Sequence, residues 1–197
     1  MNLSEYRALF ISSTMILMLI VASPTLGLVV SLPSGERFSE LWLLGPDHMA
    51  DNYPFNVRAG EEYDVIVGVS CHMGRSAYYA VYVKLRNQTQ PLPNASAAVA
   101  SPVGPEYEYR FVVAEGQTWE SKLIFAFSDV SVHDNVTLIR HLSLNGVTFE
   151  VDSTSLWNSD GKGFFYQVFF ELWMYDTEAK SLEYNNRFVG LWLNMTV

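Results

Sequence analysis

The stretch DVIVGVSC (residues 64–71) is the segment from which the fold can be inferred. Its odd-numbered positions, from Val65 to Cys71, are all apolar, whereas its even-numbered positions carry Asp, Ile, Gly and Ser. An apolar residue at every second position is typical of a β-strand that buries one face. Because several neighbouring stretches repeat this alternation, the sequence predicts an all-β domain.

The same alternation recurs on both sides of this strand, with Gly, Pro, Asn and Asp in the turns between the repeats. Further strands are predicted at residues 38–44, 55–57, 77–86, 107–113, 119–127, 136–144, 147–151, 164–175 and 188–195. Asn145-Gly146, between two alternating runs, is the strongest hairpin signal in the chain. About eight or nine main strands, with turns roughly every 8–12 residues or somewhat wider, favour an antiparallel β-sandwich.

Two segments depart from this simple pattern. Residues 87–104 are rich in Pro, Asn, Ser and Ala and show no periodicity, which predicts a long exposed loop. Residues 164–175 are apolar on both faces. Such a strand is either central in its sheet and covered on both sides by its own chain, or covered on one face by another subunit.

The N-terminal segment has a different character. Residues 8–30 (ALFISSTMILMLIVASPTLGLVV) contain no charged side chain. A transmembrane helix needs about 20 apolar residues, whereas the apolar part of a secretory signal peptide usually has about 7–15. The sequence therefore predicts a plasma-membrane anchor at 8–30, a cytoplasmic N-terminus at 1–7 and an extracytoplasmic domain at 31–197. A cleaved signal peptide is the alternative.

Small residues interrupt the predicted anchor. Ser12 and Ser13 lie near its start, and Ala22, Pro24 and Gly27 lie near its end. The serine hydroxyls can bond back to helix carbonyls. Small side chains let two membrane helices approach closely, so these five positions are predicted to contact a helix of a larger integral membrane protein within the lipid bilayer. The alternative is an anchor that only tethers the domain.

Five Asn-x-Ser/Thr triplets are potential N-glycosylation sites, at Asn2, Asn87, Asn94, Asn135 and Asn194. Asn2 precedes the anchor and is expected to be unmodified. The other four set the predicted orientation, because glycans are added on the exported side. Asn87 and Asn94 fall in the predicted loop and are the best candidates, followed by Asn135 and then Asn194. The alternative is chance occurrence combined with frequent Thr in strands.

Composition limits the classes of partner. The formal net charge is −9, with only four lysines, so the domain should repel nucleic acid and anionic lipid headgroups. Cys71 is the only cysteine, which excludes an intrachain disulfide. Its place in an alternating strand predicts a buried, unreactive thiol.

Candidate catalytic and metal-binding groups are few. Cys71 and His72 are adjacent, but neighbouring strand residues point to opposite faces and cannot easily form a dyad. Asp47, His48 and Asp51 form the densest ligand-like group, yet the sequence supplies no further local ligand. We therefore predict a non-enzymatic protein without a catalytic residue, metal or cofactor.

Four stretches of the chain together resemble a known family. They are residues 35–72, 80–89, 116–125 and 186–197. The motifs within them are Leu44-Gly45-Pro46, Tyr53-Pro54-Phe55-Asn56-Val57, Gly60-Glu61, Ile66-Val67-Gly68-Val69, His72, Trp119 and Leu191-Trp192-Leu193. They are similar to the soluble domain of an archaeal membrane-protein family called domain of unknown function 1616. Residues 35–127 carry most of the resemblance, and residues 128–161 have no counterpart.

The resemblance implies an archaeal host and an extracytoplasmic immunoglobulin-like sandwich, with no established activity. Family members commonly carry several membrane helices, whereas this chain has room for one. We expect an accessory or scaffold subunit of a cell-envelope membrane complex, for surface-protein N-glycosylation or export, or for respiration. The alternative is a surface structural glycoprotein, of S-layer or filament type, that assembles by strand addition.

Overall fold

A computed structural model of the protein describes residues 6–7, 9–19 and 36–196. The chain divides into two compact units, residues 1–37 and 38–197. In the first unit, residues 6–7 and 9–19 are helical. No helix within the described residues is both long and apolar enough to cross a membrane. Positions 8 and 20–30 of the predicted anchor lie outside the described residues.

The second unit consists almost entirely of β-strands. They are β1 (Phe38–Leu44), β2 (Asn56–Arg58), β3 (Glu62–His72), β4 (Ala77–Asn87), β5 (Tyr107–Val113), β6 (Thr118–His133), β7 (Val136–Leu144), β8 (Val147–Asn158), β9 (Gly163–Asp176) and β10 (Ser181–Thr196). The predicted all-β class is therefore confirmed.

All ten strands belong to one curled sheet with the order β1-β3-β6-β7-β8-β9-β10-β2, while β4 pairs with β9 and β5 with β4. The long strand β8 joins the two halves. Its residues from Val147 pair with β7, whereas Trp157 and Asn158 pair with the start of β9. Two five-stranded groups, β1-β3-β6-β7-β8 and β5-β4-β9-β10-β2, thus share one continuous network of backbone hydrogen bonds.

The predicted wholly antiparallel arrangement is wrong at one pair, because β2 runs parallel to β10. The two strands are far apart in sequence, so no short turn fixes their relative direction. Just beyond β2, Ala59 bridges to Phe127, and the Gly60 amide donates to the Phe127 carbonyl at 2.8 Å. Segment β2 therefore links β10 to β6 and helps to curl the sheet.

One hydrophobic core joins the two halves of the sheet. The largest fully buried side chains are Tyr79, Tyr166, Phe125, Phe127, Phe169, Phe170, Leu123, Ile139, Leu142, Leu144, Leu172 and Leu193. Across the halves, Phe111 stacks on Trp119 with ring centroids 3.7 Å apart. The Tyr166 hydroxyl donates to the carbonyls of Thr137 and Ser153. Aromatic stacking and the hydrogen-bonded hydroxyl of Tyr166 therefore hold the two halves together across the core.

Strand β9 is buried on both faces by its own chain. Its inner face contributes Tyr166, Val168, Phe170 and Leu172 to the core. On its outer face Glu171 is buried and bonded to Ser101, which belongs to the segment after β4. The first of the two interpretations of residues 164–175 is thus confirmed. The prediction that residues 87–104 form an exposed loop is wrong in part, because Ser101 is buried against the sheet.

Candidate functional site

A buried ion pair lies on the outer face of strands β4 and β9. The Lys84 ammonium and a Glu171 carboxylate oxygen are 2.7 Å apart, and the two side chains are 3% and 0% exposed. Lys84 also donates to the Ser101 carbonyl at 3.1 Å, and the Ser101 amide donates to Glu171 at 2.8 Å. The Trp173 indole donates at 3.1 Å to Glu171 Oε2, the oxygen that Lys84 contacts, whereas the Ser101 amide donates to Oε1. We call Lys84, Ser101, Glu171 and Trp173 the ion-pair cluster.

A second cation extends this face of the sheet. Arg86 donates to the Gln167 side chain at 2.7 Å and to the backbone carbonyl of Gln90. Its guanidinium lies 4.9 Å from the centre of the Trp192 ring, and burial lowers its pKa. Both basic side chains of β4 therefore hold the segment that follows the strand. Their charged groups contact Glu171, Gln167 and backbone carbonyls of the same chain.

Aromatic rings continue the same face beyond the cluster. The Trp173 ring lies 5.2 Å from Tyr82 and 6.0 Å from Tyr184. Burial, together with the nearby Glu171 charge, raises the pKa of Tyr184 to about 12. The Tyr184 hydroxyl is buried and has no hydrogen-bond partner within the described part of the chain. This phenol is neutral at ordinary pH and has packing as its main role.

An apolar cleft opens at one end of the core. It has a volume of about 380 Å³ and is lined by Val132, Trp157, Phe164 and Met195, with Lys162 among its other lining residues. Phe164 and Met195 are buried, whereas Val132 is 42% and Trp157 is 44% exposed. The rings of Trp157 and Phe164 pack edge to face with centroids 5.1 Å apart. The cleft can accept an apolar side chain.

The four predicted glycosylation sites have different surroundings. Asn94 lies on an exposed loop, and Asn135 lies in the exposed turn between β6 and β7. Asn87 ends β4, where its amide nitrogen donates to the Thr154 carbonyl at 2.8 Å. The amide nitrogen of Asn194 donates to the Asn56 side chain at 3.0 Å. The structure therefore separates two open acceptors from two whose amides are engaged, and the predicted ranking did not anticipate this. Asn2 lies outside the described residues.

Only part of the predicted helix-contact set can be placed. Ser12 and Ser13 lie in the helical stretch 9–19, where their hydroxyls donate to the carbonyls of Leu9 and Phe10. The expected bonding back to the helix is therefore confirmed for these two serines. Ala22, Pro24 and Gly27 lie outside the described residues.

Groups with catalytic potential are kept apart. The Cys71 thiol is buried and points to the Arg75 carbonyl, whereas the His72 ring stacks on Phe38 at 4.7 Å. Strand geometry therefore directs the two side chains to different surroundings, as expected. Within the described residues, no three His, Cys, Asp or Glu side chains lie close enough together to hold a metal ion.

The ion-pair cluster was not predicted from the sequence, although the sequence contains a signal for it. Lys84 and Glu171 are charges in the interior of two of the most apolar strands. A charge is rarely fully buried unless it has a partner, so each residue required an opposite charge nearby. The alternation of apolar residues does not show that Lys84 and Glu171 are partners, since the two residues are distant in sequence.

Solved structures that are similar to this chain include two distant ones. One matching chain comes from the complex of Zinc 2-glycoprotein and Prolactin inducible protein from human seminal plasma, with 8% identity and a TM-score of 0.39. That match covers 83% of this chain and 99% of the other. Another is the β-glucosidase from Listeria innocua in complex with glucose, with 10% identity, a TM-score of 0.40, 83% of this chain covered, but only 17% of the enzyme.

No curated protein sequence matches this chain. A family profile does match, under the description "Domain of unknown function (DUF1616)", at residues 32–139. The matched region runs from before β1 into β7 and includes β4 with Lys84 and Asn87. It extends to residue 139, into the segment 128–161 for which no counterpart was expected, and it does not include residues 186–197, which were part of the expected resemblance. Since the match spans more than half of the chain, this protein belongs to the family Domain of unknown function (DUF1616).

Proposed function

We propose that this chain is a non-enzymatic, single-pass accessory or scaffold subunit of a membrane complex in an archaeal cell envelope. The observation that carries the proposal is the apolar cleft, where Val132 and Trp157 are exposed above the buried Phe164 and Met195. A partner side chain that filled the cleft would gain roughly 25 cal/mol for each Å² of apolar surface removed from water. The occupant is an apolar side chain of a larger membrane protein.

The ion-pair cluster supports a scaffold role. Lys84 and Glu171 satisfy each other and the Ser101 backbone. Charges arranged in this way hold a segment in place, whereas a catalytic acid or base must reach a substrate. The proposal therefore assigns the buried polar groups to the fold and the exposed apolar groups to the partner.

The proposed topology places residues 1–7 in the cytoplasm, residues 8–30 in the plasma membrane and residues 31–197 outside. The charge-free stretch in the sequence and the two open acceptors, Asn94 and Asn135, support this arrangement. The β-domain in this proposal is an immunoglobulin-like sandwich. Its host assembly serves surface-protein N-glycosylation or export, or respiration.

A single introduced thiol tests the partner proposal. In native membranes, Val132→Cys should form one defined cross-link with a membrane protein through a short bifunctional reagent, since the natural Cys71 is buried. The matched control is Glu150→Cys, on an exposed position of β8. Equal cross-linking of both variants, or migration of the extracted protein as a lone monomer, would contradict the proposal.

The anchor has its own test. Replacing Ser12 and Ser13 with Leu, or Ala22 and Gly27 with Leu, should release the partner while the chain stays in the membrane, because larger side chains prevent close helix approach. Pro24→Leu belongs to the same series. If the complex survives all three changes, the anchor is a passive tether.

The second candidate function is a surface structural glycoprotein, which one edge of the sheet favours. Strand β5 pairs with β4 only, and its Val112 is 66% exposed. Strand β1 is a poorer edge, because Arg187 donates to the Ser39 carbonyl and the Tyr53 hydroxyl to the Leu43 carbonyl. Polymers abolished by Val112→Lys would favour this function, since an edge charge opposes strand addition.

A further inference from the structure

The acceptor triplet Asn87-Gln88-Thr89 forms part of an open groove. The groove has a volume of about 430 Å³ and lies between the end of β4 and the C-terminal part of β8. All three residues of the triplet line it, and residues 154–160 form the facing wall. Its size is within the range of about 300–1,000 Å³ that is usual for small-ligand sites.

The side chain of Asn87 has a fixed orientation in this groove. Its carbonyl oxygen accepts from the Thr89 amide at 2.9 Å, from the Thr89 hydroxyl at 2.9 Å and from the Gln90 amide at 3.1 Å. Its nitrogen donates one hydrogen to the Thr154 carbonyl on the facing wall. The second hydrogen of this amide is the one that a substituent can replace without loss of that bond.

The groove lining combines neutral polar groups with three apolar side chains, of which Leu156 is the most exposed. Gln88, Asn158 and Ser159 supply amides and a hydroxyl, and Asp160 is its one charged residue. Leu156 also lines it and is 63% exposed. A sugar ring suits such a lining, because it carries hydroxyl groups around its rim and an apolar C–H surface on its face.

We propose that this groove seats the first sugars of an N-glycan on Asn87, with the apolar face of a sugar against Leu156. The inference rests on the proposed function, because it requires export of the domain. In the transfer, a bond forms between the amide nitrogen and the anomeric carbon of a glycosyl donor with a phosphate leaving group. The bond from that carbon to the phosphate breaks, and the amide loses one proton. The remaining N–H still donates to Thr154.

The test uses the full-length protein from native membranes and compares Leu156→Ser in two backgrounds. One is the unaltered chain, and the other is Thr89→Ala, which removes the acceptor triplet but keeps Asn87. Leu156→Ser should lower the melting temperature by about 2–4 °C in the first background and by less than about 1 °C in the second. Thr89→Ser, which preserves the triplet, is the matched control and should behave like the unaltered chain.

Two further measurements make the outcome decisive. Hydrogen exchange in residues 154–160 should be slower in the unaltered chain than in Thr89→Ala, and glycopeptide mass spectrometry should find a glycan on Asn87. An unmodified Asn87 beside modified Asn94 or Asn135 overturns the groove proposal and leaves the proposed export intact. If all acceptors are unmodified, both proposals fail. A modified Asn87 with the same Leu156→Ser shift in both backgrounds also overturns the groove proposal.

Discussion

The ion-pair cluster and the apolar cleft belong to the same curled sheet, yet they differ in how far the chain itself covers them. In the cluster, the charges of Lys84 and Glu171 are covered by Ser101 of the same chain. In the cleft, Val132 and Trp157 extend the core to the surface without full cover. The chain thus covers its buried charges itself, whereas it leaves part of the apolar surface of the cleft exposed, and the proposed function assigns that surface to a partner.

Breaking the cluster should have the largest effect on stability. Lys84→Met leaves the Glu171 charge buried without a cation, so the free energy of unfolding should fall by about 3–5 kcal/mol. Urea unfolding of the full chain, followed by tryptophan fluorescence, measures the change. The double variant Lys84→Met/Glu171→Leu should recover most of the loss, because an apolar pair needs no charge compensation.

The matched control for this prediction is Lys122→Met. Lys122 also contacts a carboxylate, Asp64, at 2.8 Å, but its side chain is 54% exposed. Its removal should cost at most about 1 kcal/mol, because water screens the pair. Equal losses for Lys84→Met and Lys122→Met would show that burial does not distinguish the two pairs.

Changes in the cleft should separate stability from binding. Trp157→Ala should lower the free energy of unfolding by only about 1–2 kcal/mol, since the ring is half-exposed and loses chiefly its edge contact with Phe164. The same change should remove the cross-link at Val132→Cys. Unfolding curves and cross-linking in native membranes test the two halves of the prediction. A stability loss as large as that of Lys84→Met would make the cleft part of the core.

Tyr184 tests the outer face near the cluster. Tyr184→Phe removes a buried hydroxyl that has no partner within the described residues, so it should raise stability by up to about 1 kcal/mol at pH 7. Folding raises the pKa of Tyr184 from 10.0 to about 12, so the folded state favours the neutral phenol over the phenolate. The part of the folding free energy that depends on this preference is complete below pH 10 and is lost as pH rises through 12. The difference between variant and parent should grow across that window. A constant difference would contradict the assignment.

Much of the fold could be predicted because alternation is local. Residues 38–44, 107–113 and 136–144 were placed within the bounds of β1, β5 and β7. The predicted strands at 119–127, 147–151 and 188–195 are shorter than β6, β8 and β10, and the three differences have a common cause. Each strand contains a non-glycine residue with positive φ, namely Asp129, Asp152 and Asn186. Such a residue shifts the side-chain alternation. A prediction that assumes an apolar residue at every second position therefore ends the strand at that residue.

The candidate sites were less predictable, because they depend on contacts between distant segments. The triplet at Asn87 was visible in the sequence, but the facing wall at Thr154 was not. The apolar cleft combines side chains of β6, β8, β9 and β10, and no local pattern brings them together. Motif reasoning identified the acceptor asparagines, whereas their accessibility could be read only from the fold.

Glu106 provides the smallest and sharpest comparison with Glu171. Glu106 lies at the end of the segment after β4 whose Ser101 covers Glu171. Glu106 is half-buried, but it has no ion pair within the described residues. Burial therefore raises the pKa of Glu106 above its usual 4.5. A raised pKa means that the folded state favours the protonated carboxyl, so this contribution is complete below pH 4.5 and is lost as pH rises through the folded pKa.

Glu106→Gln should consequently stabilise the protein at pH 7 by less than about 1 kcal/mol, since the group is only half-buried and solvent screens its charge. The gain should vanish below about pH 4, where the parent carboxyl is itself neutral. Urea unfolding between pH 4 and pH 7 measures this trend. Glu108→Gln is the matched control, because Glu108 is exposed and paired with Arg110 at 2.9 Å. It should give no gain at either pH, and an equal gain in both variants would mean that net charge, rather than the burial of Glu106, is responsible.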